Sequence, residues 1–333
     1  MKDSRGLVRC VLLVLAVAVA AVISACGSSD DTGGTSAATE ATGTEATSTE
    51  AEDVYFLLPS LQDEGRIRWK EGAEAYASEH DDVDLTIDAG ATLNGDAGEL
   101  VSKVETELLK EPDVIIVEAG AVPDQLQPIL EKAIDEGIKV VTLGVEIPGL
   151  KGVSTFVGLD DEQASATAGE YLSKEFPKGG EIGIVSCIVN NPVTIARTKG
   201  FEAGLASNIK VGPVVDPKCD VAKAQSMTEN MITTNPDLVA IYATVDDPAL
   251  GAQKAVEASG KDIQVFGHDG NQAARESIEN GGLRGTVEYP FEDSGAAAVE
   301  AAVGAGEGKT LPPQILVKSG LITKENVSEA AGG

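Results

Sequence analysis

The feature that most limits what this chain can become is a passage that returns in character further along. Pro112-Asp113-Val114-Ile115-Ile116-Val117 recurs as Pro236-Asp237-Leu238-Val239-Ala240-Ile241, and Gly137-Ile138-Lys139-Val140 as Asp262-Ile263-Gln264-Val265. The two shifts are 124 and 125 positions, in effect one constant offset. A repeat at one offset means two copies of a supersecondary plan, and a chance likeness between strands is the weaker account.

The rest of the chain agrees. Val54 to Leu58, Leu85 to Ala89, Val114 to Val117, Lys139 to Leu143 and Thr155 to Leu159 are short apolar runs, as strands buried on both faces should be. Between them lie amphipathic segments at Arg66 to Ser78, Ala97 to Lys110, Asp124 to Glu136 and Glu162 to Glu175. The alternation resumes with strands at Ile182 to Ser186, Val211 to Val215, Leu238 to Ala243, Ile263 to Gly267 and Gly285 to Tyr289. Helices are expected at Val193 to Ala206, Ala222 to Thr233, Pro248 to Ser259, Gln272 to Asn280 and Glu292 to Val303. Alternating βα units imply parallel sheets with helices on both faces, so the fold class is α/β, with two doubly wound lobes in tandem and a cleft between their strand ends.

The first 52 residues do not belong to that fold. Lys2, Arg5 and Arg9 accompany an apolar run from Leu7 to Ile23, and Ile23-Ser24-Ala25-Cys26 follows. Residues 1–25 read as a secretory signal peptide, and the small residues before Cys26 resemble a bacterial lipobox, in which that cysteine is lipidated. Residues 26–52 hold Gly, Ser, Thr, Ala, Asp and Glu after the cysteine, and cannot bury enough apolar surface to order themselves. They are expected to be a tether holding an extracytoplasmic domain to the cell membrane by its lipid. The net charge of −29 becomes −31 once Lys2, Arg5, Arg9 and Asp3 are removed, which disfavours nucleic acid and anionic lipid surfaces as partners. Of four cysteines, Cys187 and Cys219 remain, each just after an expected strand in an oxidising compartment. They are expected to form a disulfide, with two buried free thiols as the alternative.

Val265-Phe266-Gly267-His268-Asp269-Gly270 reads as a buried strand that stops at a glycine and presents a carboxylate beyond it. In open α/β sheets ligands bind at the carboxyl ends of the strands, and a carboxylate there can accept hydrogen bonds from vicinal hydroxyls. A turn whose aspartate caps the next helix is the competing reading of the same residues.

With these residues in hand, the chain resembles the type I periplasmic solute-binding proteins, in particular the ribose, xylose and multiple-monosaccharide branch, across residues 53–327. Arg197-Thr198-Lys199-Gly200-Phe201, Ala249-Leu250-Gly251-Ala252 and Leu321-Ile322-Thr323-Lys324-Glu325-Asn326-Val327 are similar to segments of that family. The resemblance implies a three-segment hinge near Gly158 to Asp160, Tyr289 to Phe291 and Lys318 to Gly320. It divides the chain into one lobe of residues 53–158 and 290–318 and another of 159–289 and 319–330. It also implies a ligand set: Asp269 as the sugar-binding aspartate, Arg68 and Asn191 from the xylose branch, Glu118, and Tyr289 at the hinge. Asp63, Asp246 and Arg197 are candidates beside them, although Asp246 equally suits helix capping and Arg197 a structural donor. Gly144-Val145, Val245, Gly65 and Cys219 depart from the family's contact residues. Loss of an aromatic at the last two positions suggests that a flat stacking surface is missing, unless the disulfide itself forms that wall. Trp69 is expected to pack in the core with Tyr76.

What the resemblance implies is the capture component of an ABC importer, a monomer with permease subunits as partners and a sugar or polyol as ligand. A module feeding a membrane sensor is the alternative, as is a cationic solute such as a polyamine, held by Asp63, Glu64, Glu118, Asp246 and Asp269. Turnover is not expected: the sequence carries no Gly-x-Ser-x-Gly, phosphate loop, His-Glu-x-x-His or Gly-x-Gly-x-x-Gly, and its two histidines, His80 and His268, lie in unlike settings. No cofactor and no metal are expected.

Overall fold

A computed structural model describes residues 51–330; the signal peptide, Cys26 and nearly all of the tether lie outside the described residues. The chain opens as β1 (Glu52–Leu58), α1 (Glu64–Glu79), β2 (Val83–Ala89), α2 (Ala97–Leu108), β3 (Val114–Val117), α3 (Pro123–Asp135), β4 (Lys139–Leu143) and β5 (Thr155–Gly158). It continues as α4 (Asp161–Glu175), β6 (Gly180–Val185), α5 (Pro192–Gly204), β7 (Ile209–Val215), α6 (Val221–Thr234), β8 (Leu238–Ala243), α7 (Asp246–Ser259), β9 (Gln264–Asp269), α8 (Gln272–Glu279) and β10 (Gly285–Glu288). The last elements are α9 (Phe291–Gly306), β11 (Gln314–Leu316), β12 (Leu321–Thr323) and α10 (Val327–Ala330).

Two six-stranded sheets result, in the orders β11-β5-β4-β3-β1-β2 and β12-β10-β9-β8-β6-β7. The internal repeat is visible here, because β3 and β4 hold the places in the first sheet that β8 and β9 hold in the second. Every pairing is parallel except β12 against β10, where Thr286 faces Ile322. Among the described residues the chain passes between the sheets three times: after β5, after β10, and between β11 and β12.

The sequence signature of the strands follows from burial on both faces. In β1, Val54, Phe56 and Leu58 face a core shared with α1 and α9, while Tyr55 and Leu57 face a second one under α2 and α3. Alternate residues point to opposite sides and both sides are covered, so the run is apolar throughout. One strand is longer than its glycine suggests. β9 continues through His268 and Asp269 because these residues still pair with Val287 and Glu288 of β10.

Helices in each lobe meet backbone to backbone. A Cβ on Gly72 of α1 would lie 2.0 Å from the Glu292 carbonyl oxygen, and one on Gly295 of α9 would lie 2.1 Å from that of Trp69. The second lobe repeats the arrangement, since a Cβ on Gly200 of α5 would lie 2.0 Å from the Glu162 carbonyl oxygen of α4. Only glycine permits this approach, and it brings α9, which follows the second crossing, hard against α1.

Candidate ligand-binding site

The segments after β1, β2, β3 and β4 in one sheet and after β6, β7, β8, β9 and β10 in the other converge on one cavity of about 190 Å³. Loops and helix N-termini replace paired backbone there, which is why open parallel sheets bind ligands at this end. Two hydrogen bonds already span the gap. Asn191 Nδ2 donates to the Gly120 carbonyl at 3.3 Å, and the Gln272 amide, at the N-terminus of α8, donates to the Glu64 carboxylate at 2.9 and 3.1 Å. Asn271 gives α8 no side-chain cap, so Glu64 of α1 supplies one from the other lobe.

Asp269 occupies the floor. Its backbone is left-handed (φ 121°) and its side chain does not project into open space, as the strand-then-glycine reading expected; it is 8% exposed. The cause is Arg197, which enters from α5 and donates from Nη1 to Asp269 Oδ1 at 2.8 Å. The same guanidinium donates to Asp161 at 2.7 Å and to the Thr244 carbonyl at 2.8 Å. Burial raises the Asp269 carboxyl, against the pull of the Arg197 cation. His268 beside it is fully buried; burial and then the Arg197 charge hold its imidazole well below the usual range.

A second pair sits on the other lobe. Arg66 Nε donates to Glu118 at 2.7 Å, its Nη1 donates to the Leu93 carbonyl at 2.7 Å, and the same nitrogen meets Asp63. The other Glu118 oxygen accepts the Gly120 amide at 2.8 Å. Asp63 also caps α1 through the Arg66 amide at 3.0 Å. Burial works to lower the Arg66 pKa, but Glu118 and Asp63 outweigh it and raise it.

The wall between the pairs is aromatic, which corrects the expectation that a stacking surface is missing. Trp69 meets Phe291 edge to face at 5.1 Å and Tyr289 at 5.6 Å, while Tyr289 and Phe291 stack at 4.4 Å; all three line the cavity. The glycines that depart from the family pattern make room for them. A Cβ on Gly65 would lie 2.7 Å from the Phe291 ring, and one on Gly144 would lie 2.6 Å from the Trp69 indole. Trp69 does belong to the core, as expected, with its indole N–H donating to Ser294 at 2.7 Å, but its ring also reaches the cleft. Tyr289 Oη and Asn271 Oδ1 are buried without a hydrogen-bond partner among the described residues, and both residues line the cavity.

Of the residues singled out in the sequence, the structure places Asp269, Glu118, Asn191, Tyr289, Asp63 and Arg197 on the cavity. Two are elsewhere. Arg68 lies in a separate groove, paired with Glu292 at 2.6 and 2.7 Å and set over the Phe291 ring. Asp246 is wholly buried behind the floor and neither lines the cavity nor caps α7: it accepts Thr286 Oγ1 at 2.7 Å and the Asn271 amide at 2.8 Å. Burial, then the Asp269 charge, holds its carboxyl well above the ordinary range. Its neighbour Asp247 lines the cavity instead, together with Arg66, Trp69, Phe291 and Asn271, of which the sequence did not single out Phe291 and Asn271 as contacts. Cys187 and Cys219 are joined by a disulfide and both line the cavity. No group of three or more His, Cys, Asp or Glu residues fit to hold a metal occurs among the described residues, and no described helix is long and apolar enough to cross a membrane.

Comparison with known proteins bears directly on this geometry. A model of the periplasmic binding protein domain matches residues 54–310. The D-ribose/D-allose-binding protein of Pseudomonas aeruginosa is 27% identical over 269 residues, which cover 78% of this chain and 84% of that protein. Among solved structures, an ABC transporter solute-binding protein from Bacillus halodurans with bound myo-inositol superposes with a TM-score of 0.77 at 25% identity, covering 85% of this chain and 98% of its own. One from Mycobacterium smegmatis with bound glycerol gives 0.75 at 26% identity, with the same coverage.

Proposed function

Because the chain belongs to the family of the periplasmic binding protein domain, we propose that it is the extracytoplasmic solute-binding component of an ABC importer, taking a small neutral sugar or polyol. The observation that carries the reading is the Asp269–Arg197 pair set beside the Trp69, Tyr289 and Phe291 rings in one cavity. Aromatic faces take up the C–H side of a polyol, and ionised partners form hydrogen bonds to its hydroxyls of about 1.5–3 kcal/mol each. The unpartnered Tyr289 hydroxyl and Asn271 oxygen add a donor and acceptors on the same wall. Relatives that bind D-ribose or D-allose, myo-inositol and glycerol support this ligand class. Asp269, Glu118 and Asp63 each face Arg197 or Arg66, which favours a neutral ligand over a polyamine.

In this reading the lobes are residues 53–158 with 290–318 and 159–289 with 319–330, the three crossings are the hinge, and the protein binds without turnover. Delivery is to permease subunits. An acyl chain on Cys26 holds it at the membrane, with residues 27–52 as spacer.

A thermal-shift screen with D-ribose, D-allose, myo-inositol and glycerol tests the proposal. A ligand at 100 times its Kd stabilises by about 2.7 kcal/mol, which for a folded body of this size is a rise in Tm of about 5 °C. Asp269→Ala is expected to abolish the shift given by the best of the four. If none of them shifts the wild type, the ligand class is wrong; an undiminished shift in the variant removes Asp269 from the site.

A further inference from the structure

The cleft wall contains sulfur. The disulfide joins Cys187, just after β6, to Cys219, after β7, and so ties together two loops on the cavity. Asp216 gathers the same loops, accepting the amides of Ile188 at 3.1 Å, Val189 at 3.2 Å and Lys218 at 3.0 Å. Ile188, Lys218 and Cys219 have φ of 59°, 59° and 62°, three of the five left-handed non-glycine residues among those described. Residues with a Cβ avoid that region unless their surroundings impose it.

From the bridge a line of hydrogen bonds runs to the floor of the cavity. The Cys187 amide donates to Thr244 Oγ1 at 3.0 Å, Arg197 Nη1 donates to the Thr244 carbonyl at 2.8 Å, and the same nitrogen donates to Asp269 at 2.8 Å. Cys187, Thr244, Arg197 and Asp269 are all at most 8% exposed. Water therefore has little access to replace any of these bonds.

We propose that the Cys187–Cys219 disulfide is a positioning element of the ligand site. It holds the imposed loop conformations, and through Thr244 it keeps Arg197 and Asp269 set for the ligand's hydroxyls. Its sulfurs add an apolar, polarisable patch to the wall. The inference rests on the solute-binding reading, and it goes beyond the usual role of a disulfide. A crosslink that only restricts the unfolded chain leaves Kd unchanged while the protein is folded, because the effect is common to free and bound states. A crosslink that pre-organises the site changes Kd by the fraction of time the site is competent without it.

The test is calorimetric titration of the full chain with D-ribose, D-allose, myo-inositol and glycerol, well below the melting temperature of each variant. Cys187→Ala/Cys219→Ala is expected to weaken the tightest of these probes by about tenfold, as a site competent one-tenth of the time requires. Thr244→Val, which keeps the bridge but loses the acceptor for the Cys187 amide, is expected to weaken it comparably, and Thr244→Ser to restore it. In the wild type a dithiol reagent supplies the complementary readout. Its thiolate attacks Cys219 Sγ and expels the Cys187 thiolate, and its second thiol then displaces Cys219, leaving two cysteine thiols and a cyclic disulfide. Because coupling is reciprocal, saturating probe is expected to shift the thiol–disulfide equilibrium towards the bridge by the same factor.

A folded double variant that melts lower yet binds within about twofold of wild type would reduce the bridge to an unfolded-state crosslink and overturn the proposal. Unchanged binding in Thr244→Val would overturn the route to Asp269. If the double variant does not fold, the Thr244 pair and the reduction equilibrium still decide, an equilibrium unmoved by saturating probe overturning the proposal. Wild type that binds none of the four probes brings down the solute-binding reading, and this inference with it.

Discussion

Replacing Arg197 by methionine is the perturbation that discriminates best between a cation that merely fills space and one that makes the cleft floor tenable. Methionine keeps the apolar stem and removes the charge. Asp161 and Asp269, each 8% exposed, are then left without the cation between them. Breaking a buried pair by removing one partner costs about 3–5 kcal/mol, because the remaining charge is desolvated and uncompensated. At roughly 2 cal/mol/K per residue, the folded body has an unfolding entropy near 0.6 kcal/mol/K, so Tm should fall by about 5–8 °C. The loss should also depend on pH in a determined direction. Burial already raises the Asp269 carboxyl, and Arg197 opposes it; without Arg197 the folded-state pKa rises further above the unfolded value. A group with a raised folded pKa holds its proton longer in the native state, so the penalty is full above that pKa and shrinks as pH falls through it towards the unfolded value. Urea unfolding of both proteins at pH 8 and pH 5 measures this. A loss under about 1 kcal/mol at pH 8, or one equal at the two pH values, would refute the reasoning.

Two further outcomes follow from other parts of the molecule. The His268 imidazole is fully buried and held well below its usual pKa, so below about pH 6.5 the unfolded chain takes up a proton that the native protein refuses. Stability present at pH 7.5 should drain away by about 2 kcal/mol at pH 5, and His268→Leu should remove that part of the slope; parallel urea-derived curves for the two proteins would count against it. Gly72→Ala should push α1 and α9 apart and cost about 1–3 kcal/mol. Gly98→Ala, exposed in the first turn of α2 with nothing nearer its Cβ than 3.4 Å, should instead stabilise by ~0.5–1 kcal/mol, as differential scanning calorimetry of the pair can establish. Equal effects would contradict the close helix approach.

The sheets were legible because strands covered on both faces leave continuous apolar runs, and β1 with Val54 to Leu58 shows this in five consecutive residues. The position of Asp269 followed from the same logic, since a carboxylate at the end of a buried parallel strand lands in the cleft. That Arg66 rather than the expected Arg68 reaches the cavity has a geometric cause. Two positions along a helix are about 200° apart around its axis, so one of the pair faces the cleft and the other faces Glu292, and the phase of α1 is set only by docking on α9. Asp246 and Asp247 pose the same problem at the start of α7. What turns Asp246 inward is Thr286 from β10 and the bare backbone of Gly267, whose absent side chain would lie 2.1 Å from Asp246 Oδ1. The aromatic wall was hidden for a related reason: Gly65 and Gly144 read locally as lost contacts, and only tertiary packing reveals that Phe291 and Trp69 occupy the space they vacate. Long-range compensation of this kind leaves no mark in a local window.

Trp69 is the chain's single tryptophan, and its indole stands between the cavity and the second crossing, edge-on to Tyr289 and Phe291. Selective excitation of this one indole, apart from the five tyrosines, therefore reads a probe set on the cavity wall beside the proposed hinge. Its emission needs no label and has no second tryptophan to subtract, so its wavelength and quenching are expected to follow the occupancy of this one gap in real time.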